Sequence, residues 1–199
     1  IMKLFNLNFK NIIIKDVKFE TDNKFSLEID EKFKVRNIIL NSNININQLK
    51  YKQPDIIKNY LSDVNELILL NNHKLNLNYE GKKLLIKGEG EIQLIDNELD
   101  QIKYLINKNN KDFNVNTEFF LKNVNLKKQD FLKTFFPQIN KKINLDNQML
   151  KINYNNNNLS FSGSGKFKID KAFEEIDYFF EKKENKKNFK TKLNIKNTK

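Results

Sequence analysis

A long segment of this chain occurs twice. Residues 77–107 and 152–182 share an Asn-Tyr pair, a Gly-x-Gly inside an alternating pattern, an Asp, and a closing Ile-x-Tyr. The offset is 75 residues up to the Gly-x-Gly, 74 in the following segment and about 76 in the strand pattern after that segment. Repeated units stack into extended surfaces instead of enclosing a single pocket. The duplication therefore favours a binding or structural protein over an enzyme.

Strand patterns dominate the sequence. In 84–94 and in 159–169, apolar residues and glycines alternate with polar residues, which is typical of an antiparallel sheet with one wet face. The links at 80–83 and 155–158 contain Gly or Asn, which tolerate positive φ, and they predict hairpin turns. Further period-two patterns predict strands near 4–9, 12–19, 25–29, 33–40, 75–79, 113–121, 143–154 and 189–195.

Each hairpin is followed by a segment that we predict to be a short helix. Asp96 and Asp170 are the expected N-caps, and apolar residues follow at three-to-four spacing. These apolar residues are Leu99, Ile102, Leu105 and Ile106 in the first copy and Phe173, Ile176, Phe179 and Phe180 in the second. Two further helical segments, 47–62 and 127–140, would each be broken by a proline, Pro54 or Pro137.

The predicted fold class is α+β and mainly β. We expect an elongated, curled antiparallel sheet of repeated hairpin-helix units, with the short helices packed on it. Residues 1–199 contain no Gly/Ser/Pro-rich linker, so they are expected to form a single continuous segment. The internal repeats are placed at about 77–122 and 152–197, and the strand pattern at the start predicts a fragment of a longer repeat protein.

The formal net charge is +11, which raises the possibility of an anionic partner. Nearly all basic residues are Lys, with Arg36 the single Arg, and the abundant Lys, Asn, Ile and Phe all have AT-rich codons. Genome composition is therefore an alternative source of the charge, and a nucleic-acid partner is not favoured. The chain has no Cys, and no apolar run approaches the roughly 20 residues that cross a bilayer.

Motifs for catalysis are missing from the sequence. His73 is the single His and lies in an Asn-Asn-His-Lys run, which predicts a turn, and no ligand spacing predicts a metal site. The SFSGSG run lacks the G-x-S-x-G of a nucleophile elbow. Glu174, Glu175 and Asp177 are expected on the solvent side of the predicted helix. We therefore predict no catalytic residue, no metal and no cofactor, and hence no enzyme.

Four glycines leave gaps on the apolar strand faces. Gly88 and Gly90 occupy one strand, and Gly163 and Gly165 occupy its repeat. Glycines at such positions allow a helix or a second backbone to approach closely. The alternative is that they line an open apolar groove.

The pattern L-x-[IF]-x-G-x-G, at Leu84–Gly90 and Leu159–Gly165, resembles that of the AsmA/TamB/YhdP-like group of bacterial envelope proteins. The stretch 123–143 is also similar to the strand, helix and aromatic-Pro passage of AsmA-like regions, with Phe136 in place of the usual Trp. The resemblance could cover most of the chain.

This resemblance implies a periplasmic location, a parent protein anchored in the inner membrane, and a role in lipid transport and outer-membrane biogenesis. It implies an apolar β-groove that holds phospholipid acyl chains, with other envelope proteins as possible partners. The residues expected to line the groove or to face a covering helix are Leu84, Ile86, Ile92, Leu94, Leu159, Phe161, Phe167 and Ile169. The alternatives are a β-rich structural or interaction module without lipid and, less favoured, a basic nucleic-acid-binding domain.

Overall fold

The computed structural model describes residues 12–53, 61–96, 98–127, 142–169, 172–184 and 186–195. Within these ranges the regular structure is entirely β, which corrects the predicted α+β class. The strands are β1 (Ile12–Ile29), β2 (Val35–Lys52), β3 (Leu61–Ser62), β4 (Leu67–Glu80), β5 (Lys83–Gln93), β6 (Asp100–Lys108), β7 (Phe113–Lys127), β8 (Lys142–Asn155), β9 (Asn158–Ile169), β10 (Ala172–Lys183) and β11 (Lys186–Asn194).

Ten of these strands form one antiparallel meander in chain order, from β1 to β11 with β3 left out of the path. The short β3 pairs with the end of β7, where Leu61 lies opposite Leu126. Both predicted hairpin turns are confirmed, because Gly81 links β4 to β5 and Asn156 and Asn157 link β8 to β9 with positive φ. Tight antiparallel turns of this kind favour residues that adopt positive φ at low cost.

The two segments predicted as helices after the hairpins are strands β6 and β10. In β6, Asp100, Ile102, Tyr104 and Ile106 point to one face of the sheet, and Leu105 points to the other. The three-to-four spacing that predicted a helix therefore combined residues from both faces of a strand. Ile, Tyr and Phe fit a pleated surface well, and each of these strands pairs with a neighbour on both sides. Pairing in the sheet therefore outweighs the helical pattern.

The other predicted helices are described in part. Residues 47–52 belong to β2 and residues 61–62 form β3, so a helix across 47–62 is wrong at both of its ends. Pro54, Pro137, Asp170 and the predicted strand at 4–9 lie outside the described residues, as does nearly all of the predicted helix at 127–140.

The sheet has one apolar face and one polar face. A row of directly paired residues on the apolar face, here called the central row, crosses all ten strands of the meander. Its members are Thr21, Ile44, Leu75, Gly88, Tyr104, Thr117, Ile152, Phe161, Phe180 and Phe189. At about 4.8 Å per strand, the row extends for about 43 Å.

The buried core lies towards the end of the sheet opposite the tight turns. A cluster on β4, β5 and β7, with the turn after β5, contains Ile68, Ile92, Leu94, Leu121 and Val124. The segment that follows β3 packs here, and Asn65 N donates a hydrogen bond to Leu94 O. A smaller cluster contains Leu145 and Phe167. The core is thus concentrated at one end of the apolar face.

Candidate functional site on the apolar face

The predicted groove residues lie on β5 and β9, except Leu94, which follows β5 in the adjoining turn. Those in the strand ladders whose side chains the structure describes all belong to the apolar face. The structure does not bring the two groups together, because β6, β7 and β8 separate them. At about 4.8 Å per strand, this separation is about 19 Å. Leu84, Ile92, Leu94 and Phe167 are buried, Ile86, Leu159 and Phe161 are half-buried, and Ile169 ends its strand.

The central row connects these two groups. Its neighbouring row passes through Ile86, Ile106, Val115, Tyr154 and Leu159, so apolar side chains continue from β5 to β9. All five of these side chains are half-buried. On β9 and β10, the rings of Phe161 and Phe180 stack with centroids 4.8 Å apart. The sequence predicted apolar surface on β5 and β9, and the strand pairing shows that this surface also includes β6, β7 and β8.

The gaps at Gly88 and Gly163 are filled by tyrosines from the next strand. A Cβ on Gly88 would overlap the ring of Tyr104, and a Cβ on Gly163 would overlap the ring of Tyr178. Each Tyr is the direct cross-strand partner of its Gly. The expectation of a covering helix is therefore wrong at these glycines, and an open groove at the same positions is excluded by the rings.

The gaps at Gly90 and Gly165 are filled by side chains from the preceding strands, β4 and β8. A Cβ on Gly90 would overlap His73, and one on Gly165 would overlap Gln148. His73 and Gln148 are each 1% exposed and lie within β4 and β8. The prediction that His73 occupies a turn between strands is wrong.

A β-bulge explains why His73 and Gln148 point inward. Asn72 and Asn147, which precede them, have φ of 51° and 50°, and the ladder register shifts at both places. Two residues of the bulged strand then face a single glycine of the partner strand. A sequence signal for this feature exists in L-[ND]-N-[HQ], at Leu70–His73 and Leu145–Gln148. It lies upstream of the predicted repeats and was missed.

The two buried polar side chains make the same hydrogen bond in both copies. His73 Nε2 lies 2.9 Å from Glu91 O, and Gln148 Nε2 donates to Lys166 O at 2.8 Å. Because a carbonyl oxygen only accepts, the ring of His73 carries its proton on Nε2. Burial lowers the pKa of His73, although the hydrogen bond to Glu91 acts in the opposite direction.

Two buried acids occupy matching positions 74 residues apart. Asp100 and Glu174 are 1% and 2% exposed, and they lie opposite Ile92 and Phe167. Asp100 Oδ1 accepts a hydrogen bond from Lys122 N at 2.8 Å, while burial raises the pKa of this carboxyl group. The expectation that Glu174 faces solvent is wrong, because strand alternation turns it to the apolar face.

The two tyrosines keep their hydroxyl protons. Burial raises the pKa of Tyr104 and of Tyr178 to about 12, so both are neutral over the physiological pH range. Together with the neutral ring of His73, they add dipoles but no charge to the middle of the apolar face. Such a surface can contact hydrocarbon at a much lower desolvation cost than a charged one.

The polar face carries short cross-strand ion pairs and amide contacts. Lys151 Nζ lies 2.9 Å from Glu118 Oε1, and Asn76 Nδ2 donates to Asn43 Oδ1 at 2.7 Å. Both ion-pair partners are exposed, so the pair contributes little to stability. Ser162 and Ser164 belong to this face, whereas His73 is on the opposite face of a distant strand. The described residues thus offer no serine and histidine placed for nucleophilic catalysis.

The described residues contain no group of three His, Cys, Asp or Glu side chains that could hold a metal ion. Among the same residues, no helix has the length and apolar character needed to span a bilayer. Searches with protein-family models, among curated proteins and among solved structures each gave no match.

Proposed function

We propose that the apolar face binds phospholipid acyl chains, as a non-enzymatic section of a lipid-transport protein of the bacterial envelope. The observation that carries this proposal is the half-buried apolar surface that continues across the strands through the central row. In the part of the chain that the structure describes, no helix or second sheet covers it. Burial of apolar surface drives hydrocarbon binding without directional contacts.

The dimensions of this surface suit a lipid chain. The central row extends for about 43 Å, whereas one acyl chain spans about 15 Å, half of a bilayer's roughly 30 Å hydrocarbon core. Backbone polar groups between paired strands are satisfied by the ladder, so hydrocarbon can lie over them without leaving hydrogen bonds unmade. The resemblance to AsmA-like regions supports the periplasm as the location and the inner membrane as the anchor site of the parent protein.

Substitution on opposite faces of one strand tests the proposal. Ile86→Glu places a carboxylate on the apolar face, and Lys87→Glu places one at the neighbouring position on the polar face. After incubation with phospholipid vesicles and removal of excess lipid, native mass spectrometry measures bound phospholipid. We expect retention by the wild type and by Lys87→Glu, and retention roughly tenfold lower for Ile86→Glu because a charge in contact with hydrocarbon is strongly disfavoured.

Circular dichroism of each variant checks that the sheet has formed. The lipid proposal is wrong if the folded wild type retains no phospholipid, or if both variants retain it equally.

A structural module without lipid is the second candidate. The end of the apolar face away from the tight turns is filled by the chain's own side chains, in the cluster around Ile68, Ile92 and Val124. Under this alternative the remaining apolar surface packs against protein. The same mass spectrometry separates the two functions, since a folded wild type that never carries lipid favours the structural module.

A further inference from the structure

Within the described residues, the outer strands of the sheet are β1 and β11, and their polar faces carry net charges of opposite sign. Among the described residues, β1 pairs with β2 alone and β11 pairs with β10 alone. The polar face of β1 presents the acids Glu20, Asp22 and Glu28 together with Lys18 and Lys24. The polar face of β11 presents Lys186, Lys190 and Lys192, with no acid between Lys186 and Asn194.

We propose that copies of this chain associate head to tail, with β11 of one copy pairing with β1 of the next. The charge pattern favours this arrangement over the pairing of β11 with a second β11. Pairing β11 with a second β11 would place lysines against lysines or asparagines, whereas pairing β11 with β1 places lysines against acids. Like charges opposite each other on a sheet are destabilising, whereas opposite charges are stabilising.

The even number of strands makes this pairing geometrically continuous. All neighbours in the ten-strand meander are antiparallel, so β1 and β11 run in opposite directions. A second copy displaced along the sheet then presents its β1 antiparallel to β11, with its apolar face on the same side. Displacement of a meander with an odd number of strands would instead produce a parallel pair.

Hydrogen bonding is also compatible at the new junction. Along a row of an antiparallel sheet, hydrogen-bonded and non-hydrogen-bonded pairs alternate. The central row contains nine pairs, so its first pair, Thr21 with Ile44, and its last, Phe180 with Phe189, are of the same type. At the new junction, both β11 of one copy and β1 of the next therefore require a pair of the other type. No conflict between donors and acceptors arises.

Exposed apolar side chains at both edges would be covered by the association. On the apolar face, Phe19 of β1 is 62% exposed and Phe189 of β11 is 58% exposed. Joining the edges makes the two apolar faces one surface and removes part of these side chains from water. This inference goes beyond the proposed function, since it holds with or without lipid on that surface.

One register satisfies the charges best. With Thr21 opposite Thr191, Glu20 lies opposite Lys192 and Asp22 lies opposite Lys190. Lys24 then faces the neutral Asn188, so no like charges are opposed along β11, and Glu28 lies beyond the first residue of β11. A shift by two residues in either direction places Lys24 opposite Lys186 or Lys190.

Charge reversal with complementation tests the association. Sedimentation velocity over a range of concentrations measures it for the wild type, for Lys190→Glu with Lys192→Glu, and for Glu20→Lys with Asp22→Lys. We expect each double variant alone to associate about tenfold more weakly than the wild type. In an equimolar mixture, β11 of either variant can pair with β1 of the other variant with opposite charges, so the mixture should recover association. The control, Lys74→Glu with Lys87→Glu, makes the same change in net charge as the β11 double variant but on central strands, and it should associate like the wild type.

The absence of Cys allows the register to be tested directly. Thr21→Cys mixed with Thr191→Cys should form an intermolecular disulfide under mild oxidation, because directly opposed Cα atoms lie about 4.5–5.5 Å apart. Asn23→Cys mixed with Thr191→Cys is the shifted control and should crosslink much less. A wild type that stays monomeric at all concentrations, or a mixture of charge-reversed variants that fails to recover association, would overturn the proposal.

Discussion

At the scale of single residues, the structure assigns the repeated glycines to side-chain packing. Gly88 and Gly163 each lie under the ring of their cross-strand Tyr, and Gly90 lies under His73. Aromatic rings laid over glycine in a neighbouring strand are a known means of stabilising sheets. Both copies of the repeat therefore contain the same pairing of a glycine, which has no side chain, with a large side chain from a neighbouring strand. The glycine half of each pair was evident in the sequence, whereas its partner was not.

Gly88→Ala tests this coupling. In the wild type the added methyl group overlaps the ring of Tyr104, and we expect a loss of about 1–3 kcal/mol in the free energy of unfolding. In a Tyr104→Leu background the ring is gone, so the same substitution should cost much less. Urea denaturation of the four proteins gives the coupling energy. Strictly additive effects would show that the ring does not fill the glycine gap.

His73 predicts a specific pH dependence of stability. Burial lowers its pKa in the folded state, so the unfolded chain binds more protons once pH falls below about 6.5. Stability from this group is thus present above pH 6.5 and is lost as pH falls through the folded-state pKa. His73→Gln, which copies the residue in the second repeat, should fold and flatten this part of the profile. Denaturant titrations between pH 4.5 and 7.5 measure the difference.

Asp100 provides a contrast of opposite sign. Burial raises its folded-state pKa above 3.8, so the folded chain binds the extra proton. Its contribution is present in acid and is lost as pH rises through the raised pKa. Asp100→Asn keeps an acceptor for Lys122 N and should remove this fall in stability. Equal pH profiles for the wild type and Asp100→Asn would contradict the assignment.

At the scale of single elements, the bulges in β4 and β8 set which face each side chain occupies. Asn72 and His73 together oppose Gly90. Because of this extra residue, Leu70 before the bulge and Leu75 after it lie on the same apolar face. Alternation has a period of two, so a change of one residue reverses the faces beyond it. The bulges are therefore needed for the continuous apolar surface.

Deletion of Asn72 should consequently be far more damaging than its replacement. Without this residue, Leu75 and Leu77 would turn to the polar face or lose register with β2 and β5. Asn72→Gly suits the φ of 51° and should change stability by less than about 1 kcal/mol. Thermal unfolding followed by circular dichroism compares the two. A deletion variant as stable as the wild type would show that the bulge does not fix the register.

The helix predictions failed at this same scale for a physical reason. Ile102, Leu105 and Ile106 have the spacing of a helical stripe, but a short strand with apolar residues on both faces can show the same spacing. The sequence does not show that β5 and β7 are positioned to pair with this segment on both sides. Once those strands are present, their hydrogen-bond ladders and cross-strand contacts determine its conformation.

At the scale of the whole molecule, each described strand makes its substantial contacts with its sheet neighbours alone. The two buried clusters are separate, one around Ile92 and Leu121 and one around Leu145 and Phe167. Stability in such an arrangement is close to a sum over neighbouring units. The two halves of the sheet can then differ in local stability.

Phe167→Ala should reveal this division. Loss of the ring from the smaller cluster is expected to cost about 3–5 kcal/mol and to speed amide hydrogen exchange in β8 to β11. Exchange in β4 to β6 should change little. Hydrogen exchange with mass spectrometry resolves the segments. Equal acceleration in all strands would indicate a single cooperative unit.

By itself, the sequence determined the alternation of β5 and β9, their hairpin turns and the absence of chemistry based on Cys. These depend on neighbouring residues, through the period of the strand and the φ of Gly81 and Asn156. The tertiary structure alone decided that β6 and β10 are strands, that Tyr104 and His73 fill the glycine gaps, and that Asp100 is buried. These features depend on which strands lie side by side, and pairing across tens of residues is not encoded in any local pattern.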